Sequence, residues 1–81
     1  MARISGKQDN ENHLGRLGEA VRARRAQMGI SQEALADLAE IDRSHMGKLE
    51  RGERNVTILN LIRIATAMNC APSELLSDAG L

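Results

Sequence analysis

Between Arg43 and Arg51 the stretch RSHMGKLER carries hydrogen-bond donors at a spacing that gathers them on one side of a helix. At 100° per residue, Arg43, Ser44, Gly47, Lys48 and Arg51 fall within an arc of about 140°, and Met46, Leu49 and Glu50 within a separate arc of roughly 100°. The first arc contains no Asp or Glu, so its guanidinium, ammonium and hydroxyl groups suit a polar, anionic partner, while the second suits a core. The other reactive side chains assemble nothing. Two histidines and one cysteine, His13, His45 and Cys70, have no metal-ligand spacing and supply no nucleophile with a base and an orienting group, and there is no glycine-rich phosphate loop. Neither enzymatic activity nor a metal or cofactor is expected.

The segment that must position this helix lies just before it. In SQEALADLAEI the residues Leu35, Ala36 and Ala39 recur at helical spacing with Leu38 beside them, and the small Ala36 lets a second helix cross closely. Ser31 to Gly52 therefore reads as two short helices joined by a tight turn.

The run ISQEALADLA, a short turn and a helix ending LERGER resemble the phage repressor and Cro family of helix-turn-helix (XRE-type) transcriptional regulators, over roughly Leu14 to Leu76. The resemblance implies an all-α, five-helix, lambda-repressor-like DNA-binding domain whose second motif helix reads double-stranded DNA. It implies that Gln32, opening the first motif helix, bonds a phosphate, that Arg43, Ser44, Gly47 and Lys48 face base edges, and that Arg54 and Asn55 follow the backbone. Two positions depart from the family pattern. Glu40 stands where the turn usually has glycine, and a non-glycine residue at positive φ is strained. Asp42 stands where many relatives have serine, a harmless exchange because either caps a helix.

Eighty-one residues make one small domain with a modest core, which oligomerisation would help. With no Phe, Trp or Tyr, that core must be aliphatic, and the base-stacking platforms of single-strand binders are lacking. Eleven basic and eleven acidic residues cancel, so any affinity for phosphate depends on where the charges lie and nonspecific binding should be modest. Cys70 is a lone cysteine read as a buried structural residue, and no apolar run approaches a membrane span or signal-peptide core. A cytoplasmic location is expected, without a membrane role.

Residues 1–13 are almost without apolar content and read as a mobile tail; a basic arm through Arg3 and Lys7 entering the minor groove is the functional alternative. The domain is expected over 14–77 and a short C-terminal tail over 78–81, with no sensing or catalytic domain following. Helix one runs from about Leu14 to Met28 on a stripe of Leu14, Leu17, Val21 and Met28, with Ala20 beside it. Arg25 lies on that stripe and Glu50 on the apolar side of the recognition helix. An unpaired buried ion is costly, so either the two pair across the helices or both reach solvent independently. The resemblance implies the same arginine–glutamate bridge.

Gly29 ends helix one and Ser31 caps the next, whose free N-terminal amides favour an anion. Gly47 inside a helix costs about 1 kcal/mol relative to alanine; it either lets the backbone approach the groove or is an accident of sequence. Helix four, Ile58 to Met68, has apolar residues over roughly 220°, more than one core face needs. The excess, with Leu59 prominent, suggests a homodimer interface made with Leu75, Leu76 and Leu81 from and beyond the final helix, Pro72 to Ser77; exposed leucines on a monomer are the alternative. Ala71 offers that last helix no capping oxygen, which would make its order depend on the dimer.

The expectation is a sequence-specific regulator that binds an inverted repeat as a homodimer. Arg43 and Lys48 would read guanine O6 and N7 with Ser44 permissive, while Gln32, Arg51, Arg54 and Asn55 hold phosphates. The run ERNVTILNLIRIA is similar to the controller proteins of restriction-modification systems, with a prophage or other small repressor as the competing identity. An antitoxin-like module that holds a partner protein through the apolar surface around Leu59 and Leu76 is the alternative from a different class. Few helices leave little room for a small-molecule pocket, so none is expected.

Overall fold

The computed structural model describes residues 9–81, and Arg3 and Lys7 lie outside them. Five helices follow in order: α1 (His13–Met28), α2 (Gln32–Ala39), α3 (Arg43–Glu50), α4 (Ile58–Ala67) and α5 (Pro72–Asp78). Among the described residues there is no strand. α1 packs against α3 and α5, α2 against α3 and α4, and α4 against α5, so the two motif helices are held from both sides. The wholly enclosed side chains, Val21, Leu35, Met46, Leu49, Ile64 and Leu75, draw on all five helices.

Short helices need their free N–H groups satisfied, and the sequence supplies caps. The Ser31 hydroxyl accepts from Ala34 N–H at 3.0 Å, the Asp42 carboxylate from His45 N–H at 3.3 Å, and the Thr57 hydroxyl from Asn60 N–H at 3.1 Å. Order also begins before α1. Asp9 accepts from the N–H groups of His13 and Leu14 at 2.9 and 2.7 Å, and the Leu14 bond foremost holds its carboxyl below the usual range. Glu40 adopts the left-handed conformation at φ 57°, with its N–H on Asp37 O, so the turn keeps the glycine geometry without glycine and bears the steric cost.

Three features correct the reading from sequence. Met28, placed on the core stripe of α1, is 41% exposed, because the buried part of that helix runs only from Leu17 to Val21 and its last turn overhangs the core. α5 has contacts within its own chain that stand in for the missing cap. Glu74 reaches back to the Ala71 N–H at 3.2 Å, in place of the missing cap, and Arg24 of α1 grips Asp78 at 2.6 Å and Glu74 at 3.4 Å. The residues after α5 continue its capping: Gly80 N–H and Leu81 N–H bond Ser77 O and Leu76 O, and Ala79 is buried. Cys70 is half-buried against the core, and burial pushes its thiol up, away from the reactive thiolate.

α1 lies unusually close to α3. A Cβ at Gly18 would meet the α3 backbone, within 2.7 Å of the Leu49 carbonyl oxygen and nearer still to that of Glu50. A glycine within a helix here allows an interhelical contact that no other residue permits. Gly18→Ala should therefore destabilise the domain by about 1–3 kcal/mol through overpacking, against the ~1 kcal/mol that helix propensity alone would add. Chemical denaturation decides between the two signs.

Candidate nucleic-acid interface

The chemistry of α3 is organised from behind. Glu50 is 2% exposed, and its carboxylate receives two parallel hydrogen bonds from Arg25, Nε to Oε2 at 2.8 Å and Nη2 to Oε1 at 3.0 Å. Arg25 also donates through Nη1 to Ile30 O at 3.1 Å, which pins the loop before α2. The hydrogen bond to Glu50 raises the Arg25 guanidinium further above its ordinary value and keeps it charged. Two groups join that sequence reasoning did not place there. Gln32 Nε2 donates to Glu50 Oε1 at 3.1 Å, and Arg22 Nε lies 3.7 Å from the same oxygen. Arg22 was legible in principle, since it stands three residues before Arg25 on α1 and so on the same side.

This network fixes the face that α3 turns outward. Arg43 and Ser44 are exposed and Lys48 is half-buried. Among the described residues no ion pair ties up Arg43, Lys48 or Arg54. Gln32, Arg43, Ser44, Gly47 and Arg51 line one shallow notch, so the first turn of α2 and the outward face of α3 form a single surface. No carboxylate lines it. Asp42, at the start of α3, is turned to its capping bond.

The remaining positions differ from a simple row of donors. Gly47 is buried beneath Gln32 and Arg51 rather than laid open on the outer face. Arg51 is engaged by Glu53, Nε to Oε2 at 2.9 Å and Nη2 to Oε1 at 3.3 Å, and that fork holds the Glu53 carboxyl below its usual range. A phosphate taking the Nε–Nη2 edge of Arg51 must displace that carboxylate, whereas Nη1 is not committed to it. Arg54 and Asn55 lie exposed in the loop before α4. His45 packs inward, with Nε2 shut off from solvent and no hydrogen-bond partner among the described residues.

The apolar positions also sort by exposure. Leu75 is fully enclosed and belongs to the core of the protomer, and Leu76 is partly buried against it. Leu59 and Leu81 are 65% and 52% exposed. Ile58 and Ile62 are exposed on the same helix as Leu59, and the exposed Leu38 of α2 shares a shallow groove with Ile62, so the uncovered apolar surface of α4 extends towards α2.

A profile described as helix-turn-helix matches residues 21–75. The chain belongs to the helix-turn-helix family of DNA-binding transcriptional regulators. α2 and α3 are the two helices of that motif. The chain is 43% identical over 65 residues to control protein C.SmaI of Serratia marcescens, covering 80% of this chain and 77% of that one. It is 37% identical over 61 residues to control protein C.BamHI of Bacillus amyloliquefaciens, covering 74% and 75%. Its structure is similar to that of the restriction-modification controller protein C.AhdI from Aeromonas hydrophila, with a TM-score of 0.75 and 45% identity over 76% of this chain and 94% of that one. No helix among the described residues is long and apolar enough to cross a membrane.

Removing the carboxylate at the centre of this network tests it directly. Glu50→Ala leaves Arg25 largely buried without its partner and should cost about 3–5 kcal/mol of stability. A loss below about 1 kcal/mol in denaturant unfolding would mean that the pair does not hold α3 against α1.

Proposed function

We propose that the protein acts as a homodimer that reads an inverted-repeat operator with its two α3 helices and controls transcription within a restriction-modification system. The reading is carried by the outward face of α3: Arg43 and Ser44 share with Gln32 and Arg51 a notch that no carboxylate lines, and Lys48 stands on the same helix with no ion pair among the described residues, on a domain of zero net charge. The likeness to control proteins over most of their length supports the narrower role.

Arg43 and Lys48 present donors to guanine O6 and N7, and Ser44 either donates or accepts. Gln32, Arg51, Arg54 and Asn55 hold the backbone and set register. A twofold axis places the two recognition helices in successive major grooves, about 34 Å or 10 base pairs apart. The exposed apolar side of α4, with Leu59 flanked by Ile58 and Ile62, supplies the surface between the protomers. Whether the bound dimer raises or lowers transcription follows from where the operator lies relative to the promoter. A footprint upstream of the protein's own gene, together with an altered endonuclease transcript when that gene is deleted, tests the controller role.

Lys48→Ala should relax the preference at one base pair of each half-site by about 1–3 kcal/mol, measured by competition among operator variants. Uniform weakening on every sequence would reassign Lys48 to phosphate. Leu59→Glu should give monomers by sedimentation at concentrations where the parent is dimeric, and an unchanged mass would move the interface off this face of α4.

A further inference from the structure

Gly47 sits in the middle of α3, buried, where alanine would make the better helix. Both of its covering side chains are constrained from elsewhere. Glu50, paired with Arg25 through both oxygens, offers only acceptors, so the Gln32 amide must turn its nitrogen towards Glu50 and its oxygen away. That oxygen passes over Gly47: a Cβ there would lie 3.2 Å from Gln32 Oε1. On the other side the same Cβ would lie 3.3 Å from Arg51 Nη1, the terminal nitrogen that Arg51 does not commit to Glu53. Both distances are tighter than ordinary carbon contacts. A methyl group would make Gln32 or Arg51 give way by a few tenths of an ångström, and the Gln32 amide is already held by its 3.1 Å bond to Glu50.

We infer that Gly47 is a positioning residue: its missing side chain is the space that lets Glu50 hold the Gln32 amide in one orientation, with Oε1 outward over α3 beside Arg51. Gly47 then reads no base itself. Its contribution is that Gln32 meets DNA already oriented by the ion pair between α1 and α3, with less rotamer freedom to lose on binding; the bond to a phosphate then falls to the second N–H of Nε2, since Oε1 can only accept. The inference rests on α3 and Gln32 facing DNA for its functional half. Its structural half concerns the free protein alone.

The test is a double-mutant cycle between Gly47→Ala and Gln32→Ala, read twice. In the free, folded protein, the side-chain amide protons of Gln32 are followed by NMR; Gly47→Ala should move them towards the positions of an unbonded glutamine. On DNA, Gly47→Ala should weaken binding to the selected operator about tenfold in the parent background and less than about twofold once Gln32 is alanine. Unchanged Gln32 amide resonances in free Gly47→Ala would overturn the inference. So would an equal loss of affinity in both backgrounds, which would mean that the added methyl meets the DNA directly. A parent protein that bound no operator would refute the proposed function, yet the amide resonances would still decide the role of Gly47.

Discussion

A buried carboxylate cannot be left uncompensated, and the arrangement of the first three helices follows from how Glu50 is compensated. Arg25 reaches it from α1, Gln32 from α2, and Arg22 stands nearby. Glu50 is itself the last residue of α3, so each partner fixes that helix relative to the others. The close passage of α1 at Gly18 brings the arginines within reach, and the bond from Arg25 to Ile30 O sets where α2 begins. Rotating α3 by even a fraction of a turn would break these contacts and swing Arg43, Ser44 and Lys48 off their face. An ion pair of this kind adds little net stability over a hydrophobic isostere. Its value here is to specify one orientation for the side chains on the outward face of α3.

Much of this was legible in the sequence because helical periodicity separates the two faces of α3 and exposes the anomaly of a charge on the apolar one. Arg25 stood out on α1 by the same logic. The surplus of apolar residues on α4 was also visible, but which neighbour the surplus faced was not, since periodicity gives an angle around a helix and no direction in space. Leu75 therefore proved to be core, while Ile58 and Ile62 proved to be exposed on α4 with Leu59, and Leu38 to lie near Ile62. Contacts between segments distant in sequence stayed hidden. The grip of Arg24 on Asp78 spans 54 residues, and nothing local at either end announces it. Glycine was a signal only half read: Gly18 passed unremarked and Gly47 was read as an approach to the groove or an accident, yet each lies under something that needs the space.

Charge balance and charge placement lead to different expectations for this molecule. Eleven bases against eleven acids make a weak general attractant for nucleic acid. Three acids near the outward face of α3 are engaged: Glu50 inward, Asp42 at a cap, Glu53 on Arg51. Glu53 in particular occupies the Nε–Nη2 edge of Arg51, so under the proposed function the exposed groups of α3 carry the discrimination. A small regulator that must find one operator benefits from that balance, because the ratio of specific to nonspecific affinity, rather than affinity alone, decides occupancy.

The measurement that bears most directly on the account is selection of bound sequences from a random duplex pool by the purified protein at physiological salt. The account predicts recovery of an inverted repeat whose half-sites lie about one helical turn apart, with a guanine-containing preference that changes in Lys48→Ala. Recovery of no preferred sequence by folded, dimeric protein would contradict it, and would mean that the outward face of α3 is not a reader of DNA.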